Sequence, residues 1–508
     1  MITHKDIKYV IVQAGGKGTR LGKYTMNRPK CLVPVRGKPM IEQTLEIYKD
    51  KKVIIIGDTK FDILSNYICQ ISDSDNYILI QTEEDGTAAG INSAINNIPD
   101  EEPFIITWSD LFFEKEQEFE FDNELLVGLA GNFDCRWSLG DGVFKNVPSQ
   151  KNGVSGFFVF KNKKKFENLK TDKSLVRGFL SDFYVPEEID SFVNHDCFEV
   201  GTVEKYEEIL EKEVNHRFFN EVKFENDKVY KRCIDPKYDN VHEAEKEWYD
   251  HVKHLFTRIP TVYSTNPLVM SKVDGKHAWD IKTNKDWVIE NYCNALMQLH
   301  NLEQTTEPLN DKDCAETYMF KPYQRVMQVR HIIKDFSNPV IKINNKSCRN
   351  PFCDMRSFEQ ILEKYLLKNI GYTIIHGDCT FSNTLVDNYN QVWFIDPRGT
   401  FGKSKIYGDP RYDWAKLYYS AVGNYDKINS KKFSVDMTDG VKLQIESSGY
   451  EHFGEYIIQR SKMPKLEMLL IHASIWFSLS GYVKEDIDAV LYSFYKGCEL
   501  WTEAITLI

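Results

Sequence analysis

Val12-Gln13-Ala14-Gly15-Gly16-Lys17-Gly18-Thr19-Arg20-Leu21 begins in the β-branched run Tyr9-Val10-Ile11-Val12. The run reads as a strand, and the glycines come where it ends. Three of them let the backbone approach a triphosphate and turn its amides toward the oxygens. Lys17 and Arg20 add the charge that neutralises it. A glycine-rich turn that binds nothing is the competing reading. It is weakened by Arg28-Pro29-Lys30-Cys31-Leu32-Val33-Pro34-Val35, which follows shortly after. A Pro-Lys pair before an apolar strand can hold a second ammonium, Lys30, over the same phosphates.

Outward from this loop, short β-branched runs alternate with helical stretches. Val53–Ile56, Tyr77–Ile80, Phe104–Thr107 and Phe157–Phe160 read as strands, and Met40–Lys49, Ala88–Ile95 and Val203–Lys212 as helices. The alternation predicts an α/β fold with a doubly wound, mostly parallel, Rossmann-like sheet covered by helices on both faces. The pattern changes near residue 216. Phe218–Phe224 and Lys228–Cys233 flank the turn Glu225-Asn226-Asp227 and read as an antiparallel hairpin, followed by a charged helix over Val241–Leu255. From Lys285 onward helices dominate, apart from a short β region between Tyr372 and Ile395. At 508 residues the chain suits two to four domains. The expected division is 1–216 and 217–508, with no Pro/Gly/Ser-rich linker between them.

Further segments join the loop. Gln81-Thr82-Glu83-Glu84-Asp85-Gly86-Thr87 follows one strand, Trp108-Ser109-Asp110-Leu111 another, and Glu199-Val200-Gly201-Thr202 precedes a helix. Together these segments resemble the sugar-nucleotidyltransferase family over roughly residues 7–212. The resemblance implies that Gly15, Gly16, Lys17, Gly18 and Thr19 cradle the nucleotide phosphates and that Arg20 and Lys30 contact them. It also implies that Gln81 reads the base while Gly86 and Thr87 close over it. Asp110 would then be a magnesium ligand, and Glu199 a second one. The family often has Asp-x-Gly-Thr at the latter position, so glutamate keeps the charge but is one methylene longer. Such chemistry needs no protein nucleophile. An acceptor phosphate attacks the α-phosphorus and pyrophosphate leaves, helped by alignment and charge neutralisation.

A second signal is Ile374-Ile375-His376-Gly377-Asp378-Cys379-Thr380-Phe381-Ser382-Asn383, followed by Val392-Trp393-Phe394-Ile395-Asp396-Pro397. Asp378 can accept the proton of a substrate hydroxyl, and Asn383 and Asp396 can hold metal ions beside ATP. These residues resemble the aminoglycoside phosphotransferase and choline kinase superfamily over roughly residues 217–500. The resemblance implies an α+β, protein-kinase-like fold. Lys231 matches the lysine on ATP phosphates. Its ion-pair partner would come from Glu243-Ala244-Glu245-Lys246-Glu247, and spacing favours Glu245. The hairpin lacks a Gly-rich loop. His300 reads as structural. Asp409 either touches substrate or caps the helix that begins near Tyr412.

Composition narrows the classes further. Hydrophobic residues make up 42% and charged residues 27%, enough apolar surface for sizeable cores. With 64 basic and 75 acidic side chains the net charge is -11, which argues against a nucleic-acid partner. Eleven cysteines without CxxC spacing point to a reduced protein with neither disulfides nor zinc. No apolar run approaches membrane-span length and the N-terminus shows no cleavage site, so a cytoplasmic protein without membrane insertion is expected. A homo-oligomer is compatible with all of this.

The leading expectation is a bifunctional enzyme using Mg2+. One half phosphorylates a small sugar or sugar alcohol with ATP. The other couples the phosphate to CTP or UTP, giving a precursor for surface glycans. An amino-alcohol kinase fused to a phosphocholine or phosphoethanolamine cytidylyltransferase is the alternative. A nucleotide sensor with one inactive domain is another.

Overall fold

A computed structural model describes residues 1–71, 76–82, 87–170, 174–194, 196–212, 220–305, 311–367 and 370–508. The chain divides into two compact units, residues 1–213 with 485–487, and residues 214–484 with 488–508. The expected boundary at residue 216 lies outside the described residues.

The first unit is built around β1 (Tyr9–Gln13), whose Val10, Ile11 and Val12 are fully buried. A strand apolar on both faces belongs in the middle of a covered sheet. On one side β1 pairs in parallel with β2 (Lys52–Gly57), which pairs in parallel with β3 (Tyr77–Gln81). On the other it pairs in parallel with β4 (Phe104–Trp108). The helix Met40–Ile47 buries Met40, Ile41, Thr44 and Leu45, a stripe with helical period. The helix Ala89–Ile95 packs on β2 through Gly90, where an added Cβ would lie 2.1 Å from Ile56 Cγ2.

Beyond β4 the sheet departs from expectation. Four further strands, β5 (Leu125–Ala130), β6 (Ser138–Gly140), β7 (Val143–Lys145) and β8 (Gly153–Phe160), precede β9 (Ile189–Asn194). β8 runs antiparallel to β4, and β5 lies antiparallel to β8 and parallel to β9. The order is β7-β6-β8-β4-β1-β2-β3, with β5 beside β8 and β9 beyond it. The sheet is therefore mixed rather than mostly parallel. The reason is the connection: the β6–β7 hairpin and its flanking loops, with no crossover helix, join β5 to β8, and parallel neighbours need a crossover.

In the second unit β10 (Asn220–Glu225) and β11 (Lys228–Cys233) form the hairpin, with Asn226 at φ +53° in its turn. The sheet is completed by Val262–Thr265 and Leu268–Ser271, all antiparallel. Helix α1 (Asp239–Val252) follows the hairpin and buries Glu245, Trp248, Tyr249 and Val252. The later helices include α2 (Lys285–His300), α3 (Lys321–Val329), α4 (Pro410–Ala421) and α5 (Lys465–Tyr482). All eleven cysteines are free thiols. Among the described residues no helix is long and apolar enough to cross a membrane.

Candidate active sites

β1, β2 and β4 end together at Gln13, Ile56–Gly57 and Trp108, and the glycine loop leaves from that edge. Ligands of parallel sheets collect at these carboxyl ends. Gly18 adopts φ +66°, and a Cβ there would lie 2.8 Å from Thr25 Cγ2 and 3.1 Å from Lys30 Cβ. Thr25 Oγ1 donates to the Gly18 carbonyl at 3.0 Å. Glycine therefore lets the loop fold down against Lys30. The result is a cavity of about 280 Å³, with Gly16, Lys17, Gly18, Thr19 and Arg20 on one side and Lys30, Thr87 and Asp110 facing them.

Within this cavity the Lys30 ammonium pairs with the Asp110 carboxylate, both largely shielded from water. Asp110 follows β4, and its carbonyl accepts from the Val200 amide at 3.0 Å. The short strand Cys197–Glu199 pairs with Leu111–Phe113, setting Glu199 opposite Leu111. Glu199 Oε2 lies 2.8 Å from Lys205 Nζ, and its Oε1 is 3.9 Å from Arg20. The pairing of these segments thus brings Asp110 and Glu199 to adjoining backbone.

Magnesium can be tested against this donor set. Among the described residues no group of three or more His, Cys, Asp or Glu side chains forms a cage. Mg2+ does not need one, since it is held by one or two carboxylates together with substrate phosphates. Asp110 and Glu199 are hard oxygen donors already balanced by cations, so the residues fit.

The structure distributes the base-reading candidates differently from expectation. Gln81 ends β3 as an exposed residue and is absent from the cavity lining. Gly86 lies outside the described residues. Gly15 packs near Asp58, where its Cβ would be 3.1 Å from the aspartate Cβ. Gln13 does line the cavity, and its Nε2 donates to the Thr87 carbonyl at 2.7 Å. Thr87 Oγ1 accepts from the Leu175 amide at 2.9 Å. The sequence signal for Gln13 was its place as the last residue of the strand before the glycines.

In the second unit Lys231 sits on β11, buried, with its ammonium 2.8 Å from both Glu245 Oε1 and Asp396 Oδ1. Burial opposes its charge, but the two carboxylates outweigh this and hold its pKa above the ordinary lysine value. Glu245 is the one of the three candidate glutamates on α1 that makes this contact. Asp396 adopts φ +55°, a left-handed conformation enriched in aspartate.

The loop at 376–383 is tied to the same place. The Ile395 amide donates to the Asn383 carbonyl at 3.0 Å, and His376 Nε2 is 3.0 Å from the Ile395 carbonyl. Asn383 Nδ2 donates to the Asp378 carbonyl at 2.7 Å, which leaves its amide oxygen as a hard donor suited to Mg2+ beside Asp396. Asp413 on α4 accepts from the His376 and Gly377 amides, each at 2.8 Å, and lies 3.1 Å from His300 Nε2. Burial opposes its ionisation, but these partners hold its pKa below the usual value. His300 thus orients the loop's anchor.

Asp409 is the N-cap of α4. It is fully buried and accepts from the Arg411 amide at 2.9 Å and from Tyr318 Oη at 2.8 Å. The capping reading is the one the geometry shows. Sequence reasoning missed Lys416, whose Nζ lies 2.9 Å from Asp378 Oδ1. Its signal was a lone lysine inside the aromatic run Tyr412-Asp413-Trp414-Ala415-Lys416-Leu417-Tyr418-Tyr419.

Residues 9–123 match the family model described as nucleotidyl transferase. A bifunctional protein GlmU of Methanococcus maripaludis is 30% identical over 127 residues, 24% of this chain and 30% of that protein. The UTP--glucose-1-phosphate uridylyltransferase AglF of Haloferax volcanii is 30% identical over 107 residues, 20% of this chain and 43% of that one. All of this similarity falls in the N-terminal part, where the glycine loop, Lys30 and Asp110 stand. The chain spans less than half the length of these relatives. Among solved structures, HddC from Yersinia pseudotuberculosis is 25% identical, with a TM-score of 0.35, over 41% of this chain and 99% of that one. The second unit lies outside the matched family segment.

Proposed function

We propose that the chain catalyses two consecutive transfers. The second unit moves the γ-phosphoryl group of ATP to a hydroxyl of a small sugar or sugar alcohol. The first unit then couples that phosphate to a nucleoside triphosphate, CTP or UTP, and releases pyrophosphate. The observation that carries the kinase half is the buried Lys231 held between Glu245 and Asp396, with Asn383 tied to Asp378 beside them. The first half is supported by the family match and by the cavity that unites the glycine loop with Lys30 and Asp110.

In this reading Lys231 holds ATP phosphates. Asp378 takes the hydroxyl proton as the new oxygen–phosphorus bond forms and the β–γ bridge breaks. Asn383 and Asp396 would hold Mg2+ there, and Asp110 with Glu199 in the first unit. Bound magnesium supplies charge neutralisation on the phosphate oxygens. Lys30, Lys17, Arg20 and the loop amides align the triphosphate for attack by the acceptor phosphate. The products would serve as activated precursors for surface glycans, and one chain carrying both steps raises the local concentration of the intermediate.

The test is turnover of the full chain on sugar 1-phosphates with each of four nucleoside triphosphates. CTP or UTP should release pyrophosphate fastest, in line with the uridylyl donor named for the Haloferax relative. A preference of more than about tenfold for ATP or GTP, or about 1.4 kcal/mol, overturns the pyrimidine assignment. Absence of turnover with all four overturns the transferase reading.

A further inference from the structure

Helix α4 is buried along its whole length from Arg411 to Ala421, yet it carries three charged residues. Two of them serve the fold. Arg411 is paired with Asp409 and Glu467, and Asp413 takes the His376 and Gly377 amides. Lys416 is the third. Its Nζ lies 2.9 Å from Asp378 Oδ1, and among the described residues no second carboxylate pairs with it. The Tyr412 and Tyr419 rings, on the same helix face, stand 5.6 and 5.4 Å from the ammonium. Burial opposes the charge, but the Asp378 carboxylate outweighs it and holds the Lys416 pKa above the ordinary lysine value. Lys416 is therefore a cation. Asp378 keeps 19% of its side chain open to water, the exposure a base needs to meet its substrate.

A buried ammonium is stable only while a nearby charge compensates it. Lys231 has two carboxylates for this, Glu245 and Asp396. Lys416 has one, and in the kinase reading that carboxylate gives up its charge when it takes the hydroxyl proton. At that moment charge is spread over the oxygens of the γ-phosphoryl group. A hydroxyl held by Asp378 sits about 2.6–3.2 Å from its carboxylate, and an oxygen in line for attack about 3–3.5 Å from the phosphorus. The flexible four-carbon stem of a lysine can carry its ammonium across a gap of that size. Resting on the kinase reading above, we infer that Lys416 is a catalytic residue of the phosphoryl transfer, whose ammonium neutralises Asp378 in the resting site and the γ-phosphoryl oxygens in the transition state.

The reaction stays balanced. The hydroxyl proton passes to Asp378, the acceptor oxygen bonds the γ-phosphorus, the bond to the β–γ bridging oxygen breaks, and ADP leaves. Lys416 keeps its own protons throughout. Only its partner changes, from the carboxylate to the phosphoryl oxygens and back once Asp378 has released its proton to water.

The experiment is ADP release by the full chain with ATP and Mg2+, offered hexoses, alditols and choline one at a time. The variants are then compared on the acceptor that the unaltered chain turns over fastest. Lys416→Met, which keeps the stem and loses the charge, should lower kcat by about 10²-fold, the usual worth of one oriented transition-state donor. The KM values for ATP and acceptor should change by less than about threefold, because the contact forms only in the transition state. Lys416→Arg keeps the charge and should recover kcat to within about tenfold of the unaltered chain. Lys416→Gln leaves a hydrogen-bonding end beside Asp378 without the charge. It should fall as far as Lys416→Met, and it carries the test if the methionine variant does not fold. The inference is wrong, and the kinase reading stands, if Lys416→Gln matches the unaltered chain or Lys416→Arg does no better than Lys416→Met. It is equally wrong if the loss of charge acts on KM rather than kcat, which is what a lysine that only shapes the site would do. If the unaltered chain phosphorylates no acceptor of any set, both readings fall.

Discussion

The two sites handle a lysine–carboxylate pair in opposite ways. In the first unit Lys30 and Asp110 meet at the wall of an open cavity, beside a loop contiguous in sequence. In the second unit Lys231 is buried between Glu245 and Asp396, the latter 165 residues away. A pair at a cavity wall can exchange its partner for an incoming phosphate at little cost. A buried cation held by two acids is part of the fold as well as of the site, since removing it strands charge in a low dielectric. The first cluster thus begins from one short glycine-rich segment, whereas the second is assembled from residues far apart in the chain.

The sharpest way to break that comparison is to inactivate each site alone. Asp378→Asn should lower ATP-dependent phosphorylation by about 10²–10⁴-fold, the usual worth of a general base. Pyrophosphate release from a nucleoside triphosphate and a ready-made sugar phosphate should survive. Lys30→Ala or Asp110→Ala should do the reverse, lowering pyrophosphate release by about a hundredfold. Loss of both activities in a folded single variant would end the modular reading.

Stability is the next measure. Lys231→Met strands Glu245 and Asp396 and should cost the second unit about 3–5 kcal/mol in denaturant unfolding. Lys30→Met deprives one shielded carboxylate, not two, of its ammonium, and at a cavity wall water can enter to replace it, so the cost should be smaller, about 1–3 kcal/mol. Equal losses would mean the two pairs are not different in kind.

The smallest expected effect is on pH. His376 and His472 are buried and neutral, their pKa values depressed by burial below the ordinary 6.5. His472 Nε2 accepts from Trp476 Nε1 at 2.9 Å, which requires the neutral ring. Above pH 6.5 neither the folded nor the unfolded state is protonated, and stability is full. As pH falls below that value the unfolded chain takes up protons the folded one refuses, so stability declines until the depressed folded values are reached. Thermal melts between pH 7.5 and 5.5 should show the second unit weakening first, and His472→Gln should flatten its slope. The first unit's one described histidine, His4, is not buried.

Legibility followed the same divide. The glycine loop, Lys30 and Asp110 could be read because they follow predicted strands, and strand ends gather by the geometry of a parallel sheet. Glu245 could be favoured over Glu243 and Glu247 because one face of an amphipathic helix is buried. Gln81 could not be told from Gln13 as the glutamine at the cavity, since both end strands and only the sheet order decides which edge the loop covers. The direction of β8 was also hidden: an apolar run reads the same whether it runs parallel or antiparallel.

By itself, then, the sequence determined the strand-to-glycine loop, the hairpin lysine and the Asp378–Asn383–Asp396 spacing. These depend on local backbone freedom, periodicity and residue chemistry. Only the tertiary structure decided the mixed sheet, the Asp409 cap and the Lys416 contact with Asp378. Each joins residues distant in the chain, or turns on which way a side chain faces once the core has closed.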